Sequence, residues 1–135
     1  MGVKFIEITP DFLTGVEEMD QQHKNIANHI NFMATLLSEG QVEEAIDYYN
    51  NTLIPYVALH LRAEEEFLLS INYLNFEEHK HHHDWVLKLF TEAGEKLRDK
   101  QSARQALSML TGWLYSHVGK VDKKYGIFYR EKQSL

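Results

Sequence analysis

Residues 19–37 read MDQQHKNIANHINFMATLL, and apolar side chains recur in this stretch in steps of three and four. Such steps place side chains on one face of an α-helix. The resulting stripe consists of Met19, His23, Ile26, Ile30, Met33 and Leu37. The stretch therefore predicts an amphipathic helix whose buried face includes a histidine.

The same spacing recurs three times further along the chain, over residues 46–67, 79–97 and 106–121. Gly40 suits the position just past the first helix, and Asn75 with Glu78 and Ser102 with Gln105 resemble helix-start signals. Four helices of about 20 residues joined by short turns predict an all-α fold, an antiparallel up-down-up-down four-helix bundle.

The predicted helices divide the chain into three parts of one domain spanning residues 1–135. Residues 1–18 form a non-helical N-terminal arm, residues 19–125 the four-helix bundle, and residues 126–135 a short C-terminal tail. Pro55 lies inside the second helix, where it removes a backbone hydrogen bond and predicts a kink shortly before His60.

Composition excludes several classes of function. The 135 residues contain no cysteine, which rules out disulfides, iron–sulfur clusters and thiolate zinc sites. The net charge of −6 argues against binding to nucleic acid. No apolar run approaches the roughly 20 residues that span a bilayer, and the N-terminus lacks the pattern of a secretory signal. We therefore expect a cytoplasmic protein with neither nucleic acid nor membrane as partner.

Histidines interrupt all four apolar stripes. A buried imidazole without a partner is costly, and five of them with two acids are hard to satisfy by mutual hydrogen bonds. A metal centre would satisfy all seven. The candidate ligands are His23, His60, Glu64, His79, His83, His117 and Asp122. The remaining histidines, His29, His81 and His82, are expected to be solvated and to have no role in the site.

Spacing supports this ligand set. His60 and Glu64 are four residues apart, so they share one face of a helix. His79 could pair with His82 or His83, and the stripe that continues to Val86 favours His83.

The last pair of candidates is less regular. His117 and Asp122 are five residues apart, about 140° in a regular helix, and both point inward only if the helix widens locally or if they lie at the seam between two metals.

Nitrogen and carboxylate ligands without sulfur suit iron, manganese or zinc. Five histidines and two carboxylates exceed the needs of one ion. If both carboxylates and one solvent-derived oxygen bridge two ions, the ion with three histidines is six-coordinate. The ion with two histidines is then five-coordinate and retains an open position.

These residues lie within motifs that resemble the hemerythrin family, in particular its bacterial members, along nearly the whole chain. The matching segments are DQQHK at 20–24, YVALH at 56–60 with EE at 64–65, EHKHHH at 78–83, WLYSHV at 113–118 and DKKY at 122–125. The resemblance implies a non-haem di-iron centre with an oxo or hydroxo bridge. His79, His83 and His117 would hold one iron, His23 and His60 the other, and Glu64 and Asp122 would bridge them.

The resemblance also implies that dioxygen binds at the five-coordinate iron, in a pocket lined by Leu61, Trp113, Leu114 and Val118. Most relatives carry Phe at the position of Leu61, and Val118 replaces a common Ile, so we expect a roomier pocket and faster autoxidation.

The function that the resemblance implies is reversible dioxygen binding, for carriage, storage or delivery, rather than enzymatic turnover. Two alternatives stay open. One is an oxygen- or redox-sensing input domain of a signalling protein. The other is a di-iron oxidase or a protein that handles peroxide or nitric oxide. A protein that accepts oxygen or relays a signal would be a further partner.

Overall fold

A computed structural model describes residues 6–133, and within them the fold is helical and contains no strand. The helices are α1 (Glu17–Ser38), α2 (Val42–Tyr48), α3 (Ile54–Ser70), α4 (Phe76–Glu95), α5 (Lys100–Ser116) and α6 (Lys123–Gln133). A π-helical turn, Tyr49–Leu53, joins α2 to α3, and a second, His117–Asp122, joins α5 to α6. Four long helical rods result, as expected for a four-helix bundle. No helix in this part of the chain is long and apolar enough to cross a membrane.

The ends of the rods differ in detail from the expectation. The arm contains a short 3₁₀ turn, Pro10–Phe12, before α1 begins at Glu17. Helix α6 continues to Gln133, so the segment treated as a tail is helical through residue 133, and the last two residues lie outside the described range. Asp99 rather than Ser102 caps α5: its side chain accepts from the Ser102 amide at 2.8 Å.

Gly40 ends α1 as predicted. Its φ of +77° lies in the left-handed region that favours glycine, and the Gln41 amide donates to the Leu36 carbonyl at 2.9 Å. These features form a Schellman motif, which satisfies carbonyls left over at a helix end.

The distortion expected near Pro55 takes the form of the first π-helical turn. The Ile54 amide donates to the Tyr49 carbonyl, five residues back instead of four. Because proline has no N–H and its ring crowds the carbonyl four residues earlier, a wider turn just ahead of Pro55 accommodates it. Pro55 itself then occupies the first turn of α3, where its missing donor costs little.

Two apolar clusters divide the interior. The larger contains Ile26 of α1 and Leu61 of α3, whereas the smaller contains Met19 of α1 and Leu68 of α3. His23 and Glu64 lie between these positions on the same helices. The polar residues of the stripes therefore form a layer across the bundle, with packed apolar side chains on both sides.

The arm is fixed to the bundle next to this layer. Asp20 accepts from the Thr14 amide at 2.7 Å and from its hydroxyl at 2.8 Å, and Arg130 donates to the Thr14 carbonyl at 2.7 Å. Gly126 is required here, because a Cβ at this position would lie 2.1 Å from the Thr14 carbonyl oxygen. The arm thus contacts both α1 and α6.

Candidate metal centre

The structure brings all seven predicted ligands together in the polar layer. Each is at most 4% exposed, a burial unusual for ionisable side chains. Helix α1 contributes His23, α3 contributes His60 and Glu64, α4 contributes His79 and His83, and the second π-helical turn contributes His117 and Asp122. His83 rather than His82 joins the cluster, as the stripe favoured.

The second π-helical turn explains how His117 and Asp122 both face inward. They are the first and last residues of that turn. A π-helix closes its hydrogen bonds over five residues, so side chains five apart share a face. Local widening of the helix, one of the two alternatives that the spacing left open, is therefore confirmed, and His117 Nε2 lies 2.9 Å from Asp122 Oδ1.

The donor atoms fall into two overlapping sets, each with all its atoms within 4.8 Å of one another. We call the first the three-histidine group and the second the two-histidine group. The three-histidine group comprises Glu64, His79, His83 and His117. The two-histidine group comprises His23, His60, Glu64 and Asp122.

Glu64 spans both groups with its two carboxylate oxygens. Its Oε1 lies 2.7 Å from His79 Nε2 and 3.0 Å from His83 Nε2. Its Oε2 lies 3.4 Å from His60 Nε2 and 3.5 Å from His23 Nε2. One oxygen therefore faces the three-histidine group and the other faces the two-histidine group.

Asp122 repeats this division. Its Oδ1 lies 2.9 Å from His117 Nε2 and 3.3 Å from His79 Nε2, and its Oδ2 lies 3.1 Å from His23 Nε2. Two carboxylates that each offer one oxygen to each histidine group have the arrangement needed to bridge two cations.

The hydrogen bonding within this layer is incomplete. Several buried atoms find no hydrogen-bond partner among the described residues: Nε2 of His23, His60, His83 and His117, and both oxygens of Asp122. Leaving such an atom unsatisfied costs about 1–3 kcal/mol. Yet most of these atoms lie about 3 Å from another donor or acceptor, the separation of two ligands about 2.1 Å from one ion and at right angles to each other. The residues present therefore fit two metal ions.

The carboxylates raise the pKa of three of the histidines. Burial alone lowers the pKa of an imidazole, but contacts with Asp122 and Glu64 outweigh it and raise the pKa of His23 and His79 to about 9. The same balance raises the pKa of His117 to about 10. Burial opposes ionisation of Glu64, but the surrounding imidazoles hold its pKa well below the usual range. In the metal-free protein, protons on His23, His79 and His117 would thus take the place of cations.

The pH dependence of stability follows from these shifts. A histidine whose folded pKa exceeds its unfolded value of 6.5 stabilises the folded state below pH 6.5 and loses that contribution as pH rises through the folded pKa. We expect the metal-free protein to lose stability between pH 6.5 and pH 10, measured by urea unfolding. The zinc-loaded protein serves as control because metal replaces these protons. An equal decline in both forms would contradict the prediction.

Three residues outside the ligand set orient it. Gln22 Oε1 lies 2.7 Å from His60 Nδ1, Glu65 Oε2 lies 2.9 Å from His83 Nδ1, and the Tyr125 hydroxyl donates to Glu64 Oε2 at 2.9 Å. Such partners fix the orientation of a ligand. The sequence patterns left the role of Tyr125 undecided and indicated no role for Gln22 or Glu65. For Gln22 and Glu65 the available signal was a position directly next to a candidate ligand in the chain, His23 and Glu64 respectively.

The expectation for the other histidines is correct only in part. His81 is exposed. His82 is half-buried, because its ring stacks on His117 with centroids 5.1 Å apart, and Trp113 also stacks on His117 at 5.0 Å. His29 is likewise half-buried, with its Nδ1 against the Tyr48 hydroxyl. A sequence pattern alone does not show such contacts between helices.

The four side chains predicted to line an oxygen pocket lie close in sequence to His60 or His117. Leu61, Leu114 and Val118 are at most 2% exposed and belong to the larger apolar cluster, and Trp113 packs against that cluster. Leu61 directly follows His60, and Val118 directly follows His117. The lining role itself stays a prediction.

Comparisons with known proteins agree with this geometry. Residues 14–126 match the family model described as the hemerythrin HHE cation binding domain. A bacteriohemerythrin of Methylococcus capsulatus is 30% identical over 118 residues, 86% of this chain and 89% of the relative. A bacteriohemerythrin of Stenotrophomonas maltophilia is 29% identical, covering 85% and 75%. Hemerythrin subunit beta of Lingula anatina is 27% identical, covering 87% and 89%.

Proposed function

Because the chain belongs to the hemerythrin family, we propose that it binds dioxygen reversibly at two bridged, non-haem iron ions. The proposal rests on one observation: both buried carboxylates distribute their two oxygens between the two histidine groups. Glu64 and Asp122 each direct one oxygen toward the three-histidine group and one toward the two-histidine group. His79, His83 and His117 would hold one iron, and His23 and His60 the other.

The donor set is suited to carriage of dioxygen without enzymatic turnover. When bound, the two iron ions would supply one electron each to dioxygen and recover it on release. Five imidazoles and two carboxylates would supply fewer ligands to the two-histidine group than to the three-histidine group, which would leave room there for a small ligand. Carriage, storage or delivery of oxygen follows as the role, with sensing and oxidase activity as the competing outcomes of the test below.

The surrounding side chains favour release of intact oxygen. Leu61, Leu114 and Val118 belong to the larger apolar cluster, and as lining of the oxygen pocket they would exclude water from it. Exclusion of water would limit proton entry to the pocket and thereby slow irreversible oxidation of the iron. Tyr125 keeps Glu64 in place through the bond to its Oε2.

We further propose that the rods run antiparallel in an up-down-up-down order within one domain over residues 1–135. The connections support this order: only residues 39–41, 71–75 and 96–99 link successive rods, and short links favour antiparallel neighbours. A cytoplasmic location and a protein partner that accepts oxygen stay predictions.

The test is anaerobic loading with ferrous iron, followed by oxygenation and then removal of oxygen, while the visible spectrum is recorded. We expect a charge-transfer band that appears with oxygen and disappears without it. Irreversible oxidation with release of hydrogen peroxide would instead favour an enzyme or a sensor and would overturn the proposal.

His60→Ala should abolish the oxygen-dependent band, because it removes one of the two imidazoles at the position with the open site. The bundle should remain folded by circular dichroism, since three other rods keep their packing. His81→Ala, at an exposed position on α4, is the matched control and should retain the band. Full oxygen binding by the His60 variant would contradict the ligand assignment.

A further inference from the structure

Two imidazoles of the centre have unlike partners. His83 donates from Nδ1 to Glu65 Oε2 at 2.9 Å, and His60 donates from Nδ1 to Gln22 Oε1 at 2.7 Å. Since both oxygens are acceptors, Nδ1 of each ring carries the proton and Nε2 directs its lone pair toward the centre. The partner is a carboxylate in the three-histidine group and a neutral amide in the two-histidine group.

The charge of Glu65 acts on His83 at close range and largely out of water. Glu65 is 7% exposed. Its nearest cation, Arg62, has Nη1 3.7 Å from the other carboxylate oxygen, and the Arg62 side chain is 63% exposed. That exposed guanidinium is screened by solvent and compensates the carboxylate only weakly. Gln22 is half-buried and supplies no charge.

A carboxylate partner makes an imidazole a more basic ligand than an amide partner does. Hydrogen bonds to an ionised group are also roughly twice as strong as neutral ones. His83 should therefore donate more electron density to a cation than His60 does. The three-histidine group also has one imidazole more. Both differences therefore predict tighter metal binding in the three-histidine group than in the two-histidine group.

We propose that Glu65 and Gln22 are positioning residues that make the two metal positions unequal. The three-histidine group takes up the first metal ion and holds it more tightly, because Glu65 strengthens His83 as a ligand. The two-histidine group takes up the second ion more weakly, because Gln22 orients His60 without adding charge. This inference rests on the proposed function, since it requires two metal positions.

The test uses zinc, which has no redox chemistry, titrated into the metal-free protein in competition with a chromophoric chelator. The natural sequence should bind two zinc ions in two unequal steps. Glu65→Gln keeps the shape and the acceptor but removes the charge, so it should weaken the tighter step by about 10- to 100-fold and spare the weaker one. Gln22→Glu should strengthen the weaker step and so reduce the difference between the two zinc affinities.

Glu66→Gln, at the exposed neighbouring position, is the matched control and should change neither step. A purely structural role for Glu65 would weaken both steps together, and that result, or no change, would overturn the inference. Gln22→Glu provides an independent measurement if the Glu65 variant folds poorly. Failure of the natural sequence to bind two zinc ions would instead contradict the paired metal site itself.

Discussion

Glu64→Gln should weaken binding at both metal positions at once, by more than the roughly 100-fold that loss of an outer partner costs. Glu64 is fully buried and is the one residue common to both donor groups. The amide keeps the size of the side chain but cannot offer an anionic oxygen to each side. The measurement is metal content after dialysis, by elemental analysis, together with competition for zinc.

Glu66→Gln again supplies the control, because Glu66 is exposed on the same helix only two residues away. It should retain two ions per chain. Asp122→Asn should reproduce the loss, since Asp122 makes the second set of contacts to both groups. If Glu64→Gln lost one ion and kept the other at full affinity, Glu64 would be a terminal ligand and the bridging assignment would be wrong.

Metal loading should raise the melting temperature by about 15 °C or more, since saturation at 1,000 times the dissociation constant adds about 4 kcal/mol per site. The physical reason is the incomplete hydrogen bonding of the polar layer: Nε2 atoms on all four rods and both Asp122 oxygens lack hydrogen-bond partners among the described residues, and bound cations would supply those partners. Thermal unfolding of zinc-loaded or anaerobic ferrous protein, against metal-free protein, measures the effect.

Magnesium should produce no comparable shift, because it prefers oxygen ligands and retains its water. This control separates occupation of a histidine site from general screening of the acidic chain by divalent cations. A melting temperature that does not change on loading, with two ions demonstrably bound, would show that the unfolded chain binds the ions as tightly as the folded layer does. The fit between these residues and a metal pair would then fail.

Much of the candidate site could be predicted from sequence because it depends on helical periodicity. His23 lies four residues after Met19 and three before Ile26, so any helix that buries those two must also bury His23. Glu64 is distinguished from its acidic neighbours in the same way, by its place on the stripe. Burial of a polar group without a nearby partner in sequence then indicates a metal.

Other features depend on packing between helices. Glu65 lies off the stripe that selects Glu64, yet it is buried and bonds to His83 of the facing helix. His82 was expected in solvent, yet it stacks on His117. These contacts are set by how closely two helices approach and how they are rotated, and neither quantity is encoded in the spacing along one helix.

The sequence by itself determined that the side chains of the four stripes, their histidines included, are buried and which chemistry they can perform, because burial of a stripe follows from a period of 3.6 residues along each helix. Only the tertiary structure decided how the carboxylate oxygens are distributed between the two histidine groups. It placed one oxygen of Glu64 and one of Asp122 on each side, and it widened the helix at His117–Asp122 so that both ends face inward. Distances between atoms on different helices arise from packing, and packing is a property of the whole bundle.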